Sequence, residues 1–558
     1  MGRIEKANRL HDALRIEAAR KAAVSDPNFA TRENSYLPVG RLRDVDFSFK
    51  ENLTKEIAFP DCFDMEDRVT NIEEPMRILM ISAEGPPLLH AGALIDVMDA
   101  LPHELRSRGH EVAVALPYYR EIRENPAFKE EDTGVTVDVR VGEKTYIAEY
   151  LQGHSPSGVQ LFFVRCDEFF DRDGIYGEHG TPYEDNAERF IFFSKAAVEL
   201  ARRLNPTPQI LHVHDWPAAL VPVYVRAHRL PFSTVLTIHH IAEQGSFWGL
   251  DFRLTNLHER FFTLRGVEFF GKLNFLKGGI LFADKVTTVS ERHRREIQTP
   301  EFGCGLDVVL RENAHKLSAI LHGADYARWN PETDKLLPAN YTPSEFWGKQ
   351  LCRDALLNGL RLDPGPKGPV FGMVTRVVGE KGFDILVPLL DRLLIDDVRL
   401  VILGEGDPTY ETALAVATRK FPTKFAYRRS YDEKSAHVFE AGMDISLIPS
   451  RFEPAGLSAM YNLKYGALPV ARATGGIQEI IEDYDPSTDS GYGFLCYEYS
   501  TEAFWDAIKR GREIFGDREL WQQLMERAMR RNFSWATAAE KYERLYRELG
   551  AQSEAAAA

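Results

Sequence analysis

The chain has 558 residues, 44% hydrophobic and 27% charged, a composition of globular proteins and a length that allows two large domains. Its formal net charge of −15 argues against a nucleic-acid surface, which needs a basic face, and suits a neutral substrate whose anionic parts meet a local cation cluster. The five cysteines, Cys62, Cys166, Cys304, Cys352 and Cys496, form no C-x-x-C pair, so free thiols in a reducing compartment are expected.

Residues 1–75 read as an N-terminal extension of unknown role, a docking arm or a loosely packed appendage. Its opening, MGRIEKANRLHDALRIEAARKAA, is charged throughout and lacks the apolar core of a signal peptide. Lys6 stands where a myristoylation motif after Gly2 needs Ser or Thr. No run of eighteen apolar residues occurs, which predicts no spanning helix, no membrane partner and a cytoplasmic location.

At Met76 the pattern changes. Residues 76–81 form a short apolar run of the kind that makes a central parallel strand. A loop, a helix over 94–108, a C-capping Gly109 and a strand over 112–116 follow. Similar strands are predicted at 209–213, 234–238 and 286–289. Strands alternating with helices mean an α/β fold with a parallel sheet, here a first Rossmann-like domain over 76–330. Proline-rich residues 326–368 read as a connector.

A second sheet is predicted from strands at 370–374, 398–403, 445–448 and 468–471, giving a second domain over 331–533. Residues 534–558 hold an amphipathic helix over 536–549 and a disordered tail from Gln552. No internal repeat is visible.

The most informative stretch is IPSRFEPAGLSAMYNLKYGALPVARATGGIQEIIED, from Ile448 to Asp483. It reads as strand, loop, helix, strand, loop, helix, with both polar loops at the C-terminal ends of strands, where doubly wound sheets bind ligands. In V-T-R-V-V-G-E-K-G-F, Arg376 and Lys381 flank another strand-to-helix turn, so helix N-terminal amides join two cations in an anion site. Glu453 is the conspicuous acid. His239 and His240, taken alone, are strand-end histidines or metal ligands, and Tyr431 a packing residue.

R-F-E-P-x-G-L followed by Y-x-L-K-Y-G and T-G-G resembles the nucleotide-sugar half of bacterial glycogen synthases and plant starch synthases. Further matches are L-H-V-H-D-W-P (Leu211 to Pro217), T-I-H-H (Thr237 to His240), Y-E-D-N-A-E-R-F (Tyr183 to Phe190) and Leu276 to Ser290. Together they span about residue 76 to 549 and leave the N-terminal extension uncovered. The resemblance implies a GT-B architecture: two Rossmann-like domains facing a cleft, with the C-terminal helix crossing back to the first. It implies a retaining glucosyltransferase that elongates an α-1,4-glucan from a nucleotide-glucose donor, expected to be ADP-glucose, with no cofactor and no metal. A related transferase using another sugar nucleotide or a small acceptor, and a catalytically weak glucan-binding homologue, are the alternatives.

What the family's motifs imply carries over residue by residue. Arg376 and Lys381 bind the donor diphosphate, Glu453 supports the sugar, and His239 hydrogen-bonds a glucose hydroxyl; these form the catalytic set. Donor binding falls to His90, Gly92, Asp96, Tyr431, Thr474, Gly475, Gly476, Ala455, Gly456, Leu457 and His322. Asp215, Trp216, Tyr183 and Asn186 lie on the acceptor side.

Departures gather around this site. The family's K-x-G-G-L is here His90-Ala91-Gly92-Ala93-Leu94, an imidazole in place of a permanent cation. His240 and His322 each stand where the family has Asn, and Ala455 where Cys is common. A shifted donor or acceptor preference, or a loss of catalysis, would follow.

Overall fold

The computed structural model describes residues 57–58, 74–88, 94–178, 180–365, 367–430 and 432–557. Residues 1–56 and 59–73, and with them nearly the whole N-terminal extension, lie outside the described residues, as do His90, Gly92, Ala93 and Tyr431.

Among the described residues, the first sheet has nine strands in the spatial order Leu317–Ala319, Lys285–Thr288, Ser233–Ile238, Ile210–His214, Arg77–Ile81, Glu111–Pro117, Gln160–Arg165, Lys144–His154 and Glu131–Val141. All neighbours as far as Gln160–Arg165 pair in parallel. The last two strands are antiparallel and were not expected. Their signal is a different one: in T-V-D-V-R-V the valines alternate with exposed residues, as in a strand covered on one face. Ile78, Leu79, Met80 and Ile81, by contrast, are all fully buried, because helices cover both faces of a parallel sheet.

The second sheet has six strands among the described residues, ordered Phe425–Arg428, Arg399–Leu403, Val370–Val374, Ile445–Ile448, Leu468–Arg472 and Phe494–Cys496, all parallel. In both sheets the chain works outward to one side and then returns to build the other. The reversal falls between Arg77–Ile81 and Ile210–His214 in the first and between Val370–Val374 and Ile445–Ile448 in the second. At such a switch point adjacent loops leave in opposite directions and open a crevice at the C-terminal strand ends. The α/β, doubly wound expectation holds for both sheets.

Two hydrophobic cores result, one around each sheet. The C-terminal helix, Trp535–Ala557, belongs to the first. Trp535, Ala538, Ala539, Tyr542, Leu545, Tyr546 and Leu549 all enter that core, the i, i+3, i+4, i+7 spacing of one helix face. The helix also carries buried polar contacts: Tyr546 Oη lies 2.7 Å from His212 Nδ1, and His212 Nε2 lies 2.6 Å from Thr237 Oγ1. The residues after Gln552, expected as a disordered tail, continue this helix to Ala557; their alanines favour that conformation.

Candidate active site

The second domain supplies cations and a carboxylate at its switch point. After the strand Val370–Val374, the chain passes through the exposed Arg376, which hydrogen-bonds to no other side chain among the described residues, into a tight turn over Gly379–Lys381. Gly382 then adopts φ +81°, and a Cβ there would lie 2.2 Å from the carbonyl oxygen of Pro449. Only glycine lets this loop rest on the neighbouring strand end. That contact brings Lys381 to Glu453: Nζ is 2.7 Å from Oε2, and Ser450 Oγ donates to the same oxygen at 3.1 Å. A pocket at this point is lined by Gly372, Thr375, Lys381, Ser446, Glu453 and Asn462, among others.

The T-G-G loop packs directly beneath Glu453. The Gly476 amide donates to the carbonyls of Glu453 and Pro454, both at 3.0 Å. Gly475 has φ +48°, and a Cβ there would come within 2.1 Å of the Glu453 carbonyl oxygen. Ala455 is half-buried, and Gly456 precedes the helix Leu457–Lys464, whose first residue Leu457 is buried. Thr474, Gly475, Gly476, Ala455, Gly456 and Leu457 are thus brought together around Glu453. The Gly475 amide, however, points to Glu296 of the first domain, at 3.3 and 3.2 Å from its two carboxylate oxygens.

The first domain contributes histidines. Asp215, at φ +54°, accepts hydrogen bonds from the amides of His239 (2.7 Å) and His240 (3.4 Å), which holds the end of strand Ser233–Ile238 in place. Burial pushes the Asp215 carboxyl up to about 7. His239 Nε2 lies 2.9 Å from His214 Nδ1, and Nδ1 of His239 has no hydrogen-bond partner among the described residues. The His322 ring lies 4.9 Å from that of His239 and 5.3 Å from Trp535. Burial drives His239 and His214 well below the usual histidine range and His322 down to about 3, because a charged imidazole loses its hydration there. The surroundings of these rings therefore favour their neutral forms. Among the described residues, no three His, Cys, Asp or Glu side chains group so as to hold a metal ion.

His240 does something different. Its Nε2 reaches across the cleft to within 3.2 Å of Glu380 Oε1, and its ring packs edge-on against Phe452, centroids 5.4 Å apart. Ser290 Oγ donates to the Pro454 carbonyl at 2.7 Å and the Arg292 amide to Glu479 at the same distance. The E-P-A-G turn and the histidines thus face each other across a closed cleft.

The remaining described candidates sit in the first domain. Trp216 is buried among Tyr176, Phe190, Phe247 and Phe275. Asn186 is buried, donating to the Tyr176 carbonyl at 2.8 Å and accepting from Arg189 at 2.6 Å. Tyr183 is stacked by the guanidinium groups of Arg172 and Arg189. Asp96 lies in the first turn of the helix Leu94–Ser107, 3.7 Å from Arg328 of the connector; burial raises its carboxyl to about 6, against the pull of Arg328.

Sequence reasoning passed over Ser450, Glu296, Glu380, His293 and Phe452. Of these, Ser450 and Phe452 carried a signal, since both lie between the end of the central strand Ile445–Ile448 and the E-P-A-G turn.

Residues 77–312 match the model of the starch synthase catalytic domain, and residues 361–529 that of glycosyl transferases group 1. The chain is 42% identical over 479 residues to a glycogen synthase of Koribacter versatilis, covering 84% of this chain and 98% of that protein. A glycogen synthase of Opitutus terrae is 40% identical over 480 residues, covering 85% and 100%. The chain belongs to the glycogen and starch synthase family. As a member it is a glycosyltransferase, and its fold agrees. The solved catalytic domain of starch synthase IV from Arabidopsis thaliana, bound to ADP and acarbose, superposes with a TM-score of 0.79 at 29% identity, over 85% of this chain and 99% of that one. A sucrose-phosphate synthase from Thermosynechococcus elongatus, at 17% identity and a TM-score of 0.56, shares the two-domain fold alone. Among the described residues, no helix is long and apolar enough to cross a membrane.

Proposed function

We propose that this synthase transfers glucose from ADP-glucose to the non-reducing end of an α-1,4-glucan, with retention at the anomeric carbon and with protein cations in place of a metal ion. The observation that carries the reading is the convergence of Lys381, Glu453 and Ser450 at the switch point of the second sheet, opposite His239 and His240. Glycogen synthases and an ADP-bound starch synthase are similar over most of the chain, which supports the donor and the polymer.

The chemistry follows from the charges. As the diphosphate leaves, negative charge grows on its bridging oxygen and positive charge on the sugar ring. Arg376 and Lys381 meet the first, and cations preorganised in a closed cleft are commonly a leading contribution to catalysis. Glu453, pinned by Lys381 and Ser450, supports the second electrostatically. His239, neutral and oriented by His214, hydrogen-bonds a hydroxyl of the transferred glucose. With the domains closed, water is kept from the cation-like carbon until the acceptor hydroxyl arrives, its oxygen bonding that carbon and its proton passing to the departing diphosphate oxygen.

The test is nucleoside diphosphate release from a panel of ADP-, UDP- and GDP-glucose with glycogen or malto-oligosaccharides present. Release from ADP-glucose and growth of amylase-sensitive chains are expected. Release from another donor only would reassign the nucleotide, and no release from any donor would overturn the reading. Glu453→Gln keeps the shape and removes the charge, so it should fold normally and lose most transfer.

A further inference from the structure

Glu380 poses an electrostatic problem for the donor loop. It precedes Lys381 directly, and Arg376 lies close enough for its charge to act on the Glu380 carboxylate. Lys381 is already paired with Glu453, so the two cations and two carboxylates of this corner cancel. A diphosphate gains little from a site with no surplus positive charge.

The facing domain supplies the missing charge. We propose that His240 is a positioning residue which, as an imidazolium, takes up the Glu380 carboxylate when the domains close and leaves Arg376 and Lys381 to the donor diphosphate. The inference rests on the reading of that loop as the diphosphate site and adds the group that sets its charge.

The geometry aims His240 at this task. Its amide is held by Asp215, its ring edge by Phe452, and its Nε2 meets Glu380 Oε1 at 3.2 Å. Nδ1 is buried without a partner among the described residues, so Glu380 is the ring's anchor. Burial opposes the imidazolium, but the hydrogen bond and charge of Glu380, helped by Asp215 and Glu243, outweigh it and raise the His240 pKa above the ordinary value. The hydrogen bond from His240 lowers the Glu380 pKa against burial, with His240, Lys381 and Arg376 adding their charge. The neighbouring His293 is held neutral by burial and does not compete. Among the described histidines of the cleft, His240 is thus the one whose surroundings favour the charged form, in contrast to His214, His239 and His322.

The sign of the pH dependence follows. Protonation of His240 adds the positive charge, so diphosphate affinity is high below its raised pKa and falls as pH rises through it. The measurement is calorimetric titration of the full chain with ADP from about pH 5.5 to about 8.5, for wild type, His240→Asn, Glu380→Gln, the double variant and Arg376→Ala. ADP's own phosphate titrates in this range equally for every protein, so ratios of affinity are read. Wild type should exceed His240→Asn by about fivefold at the acid end and converge with it at the alkaline end. Glu380→Gln should bind at least as well as wild type throughout, and adding His240→Asn to it should change nothing. A ratio that stays constant with pH, or a loss from His240→Asn that persists without Glu380, would overturn the proposal. If Arg376→Ala abolishes ADP binding while the His240→Asn ratio is flat, only the His240 role fails. Undiminished ADP binding by Arg376→Ala would overturn the diphosphate reading and this inference with it.

Discussion

Replacing Lys381 by Ala separates the catalytic from the structural part of the Lys381–Glu453 pair. In the native site Glu453 is 8% exposed and accepts from Lys381 Nζ at 2.7 Å and Ser450 Oγ at 3.1 Å. Alanine removes the ammonium and leaves a carboxylate with one neutral donor. Breaking a fully buried pair costs about 3–5 kcal/mol. Here the pair lines a pocket, and water entering the volume vacated by the lysine reduces the cost to about 1–2 kcal/mol. That corresponds to a fall in melting temperature on the order of 2–8 °C for a domain of this size. Catalysis should suffer more, because a cation aimed at a leaving diphosphate contributes about 3–4 kcal/mol of barrier lowering, two to three orders of magnitude in turnover. The decisive protein is Lys381→Ala with Glu453→Gln. It no longer buries an unpaired charge, so scanning calorimetry should show much of the lost stability regained, while initial-rate assays with ADP-glucose and glycogen show no recovery. A double variant that regains turnover, or a Lys381→Ala enzyme of wild-type rate, would refute the argument.

Asp215 makes stability depend on pH in a definite direction. Its folded pKa of about 7 lies above the ordinary 3.8, so its contribution is complete below about pH 4 and is lost as pH rises toward about 7; the difference in denaturation free energy between wild type and Asp215→Asn should follow that course, and a constant difference would contradict it. Tyr546→Phe removes the hydrogen bond to the fully buried His212 Nδ1 and should cost about 1–2 kcal/mol in urea denaturation, with donor KM unchanged. Gly475→Ala forces a Cβ to within 2.1 Å of the Glu453 carbonyl oxygen; the loop must shift, so turnover should drop at least tenfold while the far-ultraviolet circular dichroism stays native.

Much of the architecture was legible along the chain because its signals are local. Apolar runs such as residues 76–81 or 445–448 mark strands buried on both faces, and the observed strands, Arg77–Ile81 and Ile445–Ile448, differ by a residue at most. The antiparallel pair Lys144–His154 and Glu131–Val141 escaped because its alternation is a weaker pattern than a continuous apolar run. The end of the last helix escaped because Gln552 onward has no apolar face, only helix-favouring residues.

The site divides in the same way. Residue types at strand-to-helix turns pointed to Arg376, Lys381, Glu453 and the T-G-G loop, since the end of a parallel strand is where the fold exposes a loop to a ligand. Which of these groups touch was decided only by the tertiary structure. Lys381 and Glu453 are 72 positions apart and meet because Gly382 rests on Pro449. Glu380 and His240 are 140 apart and meet across the cleft between the two domains. The ionisation of each histidine is likewise a property of its surroundings: burial pulls the imidazole pKa down at His239 and His322, while a facing carboxylate raises it at His240. Sequence specifies which groups can ionise and donate; burial and the partner at 3 Å, both long-range consequences of packing, decide which of them do.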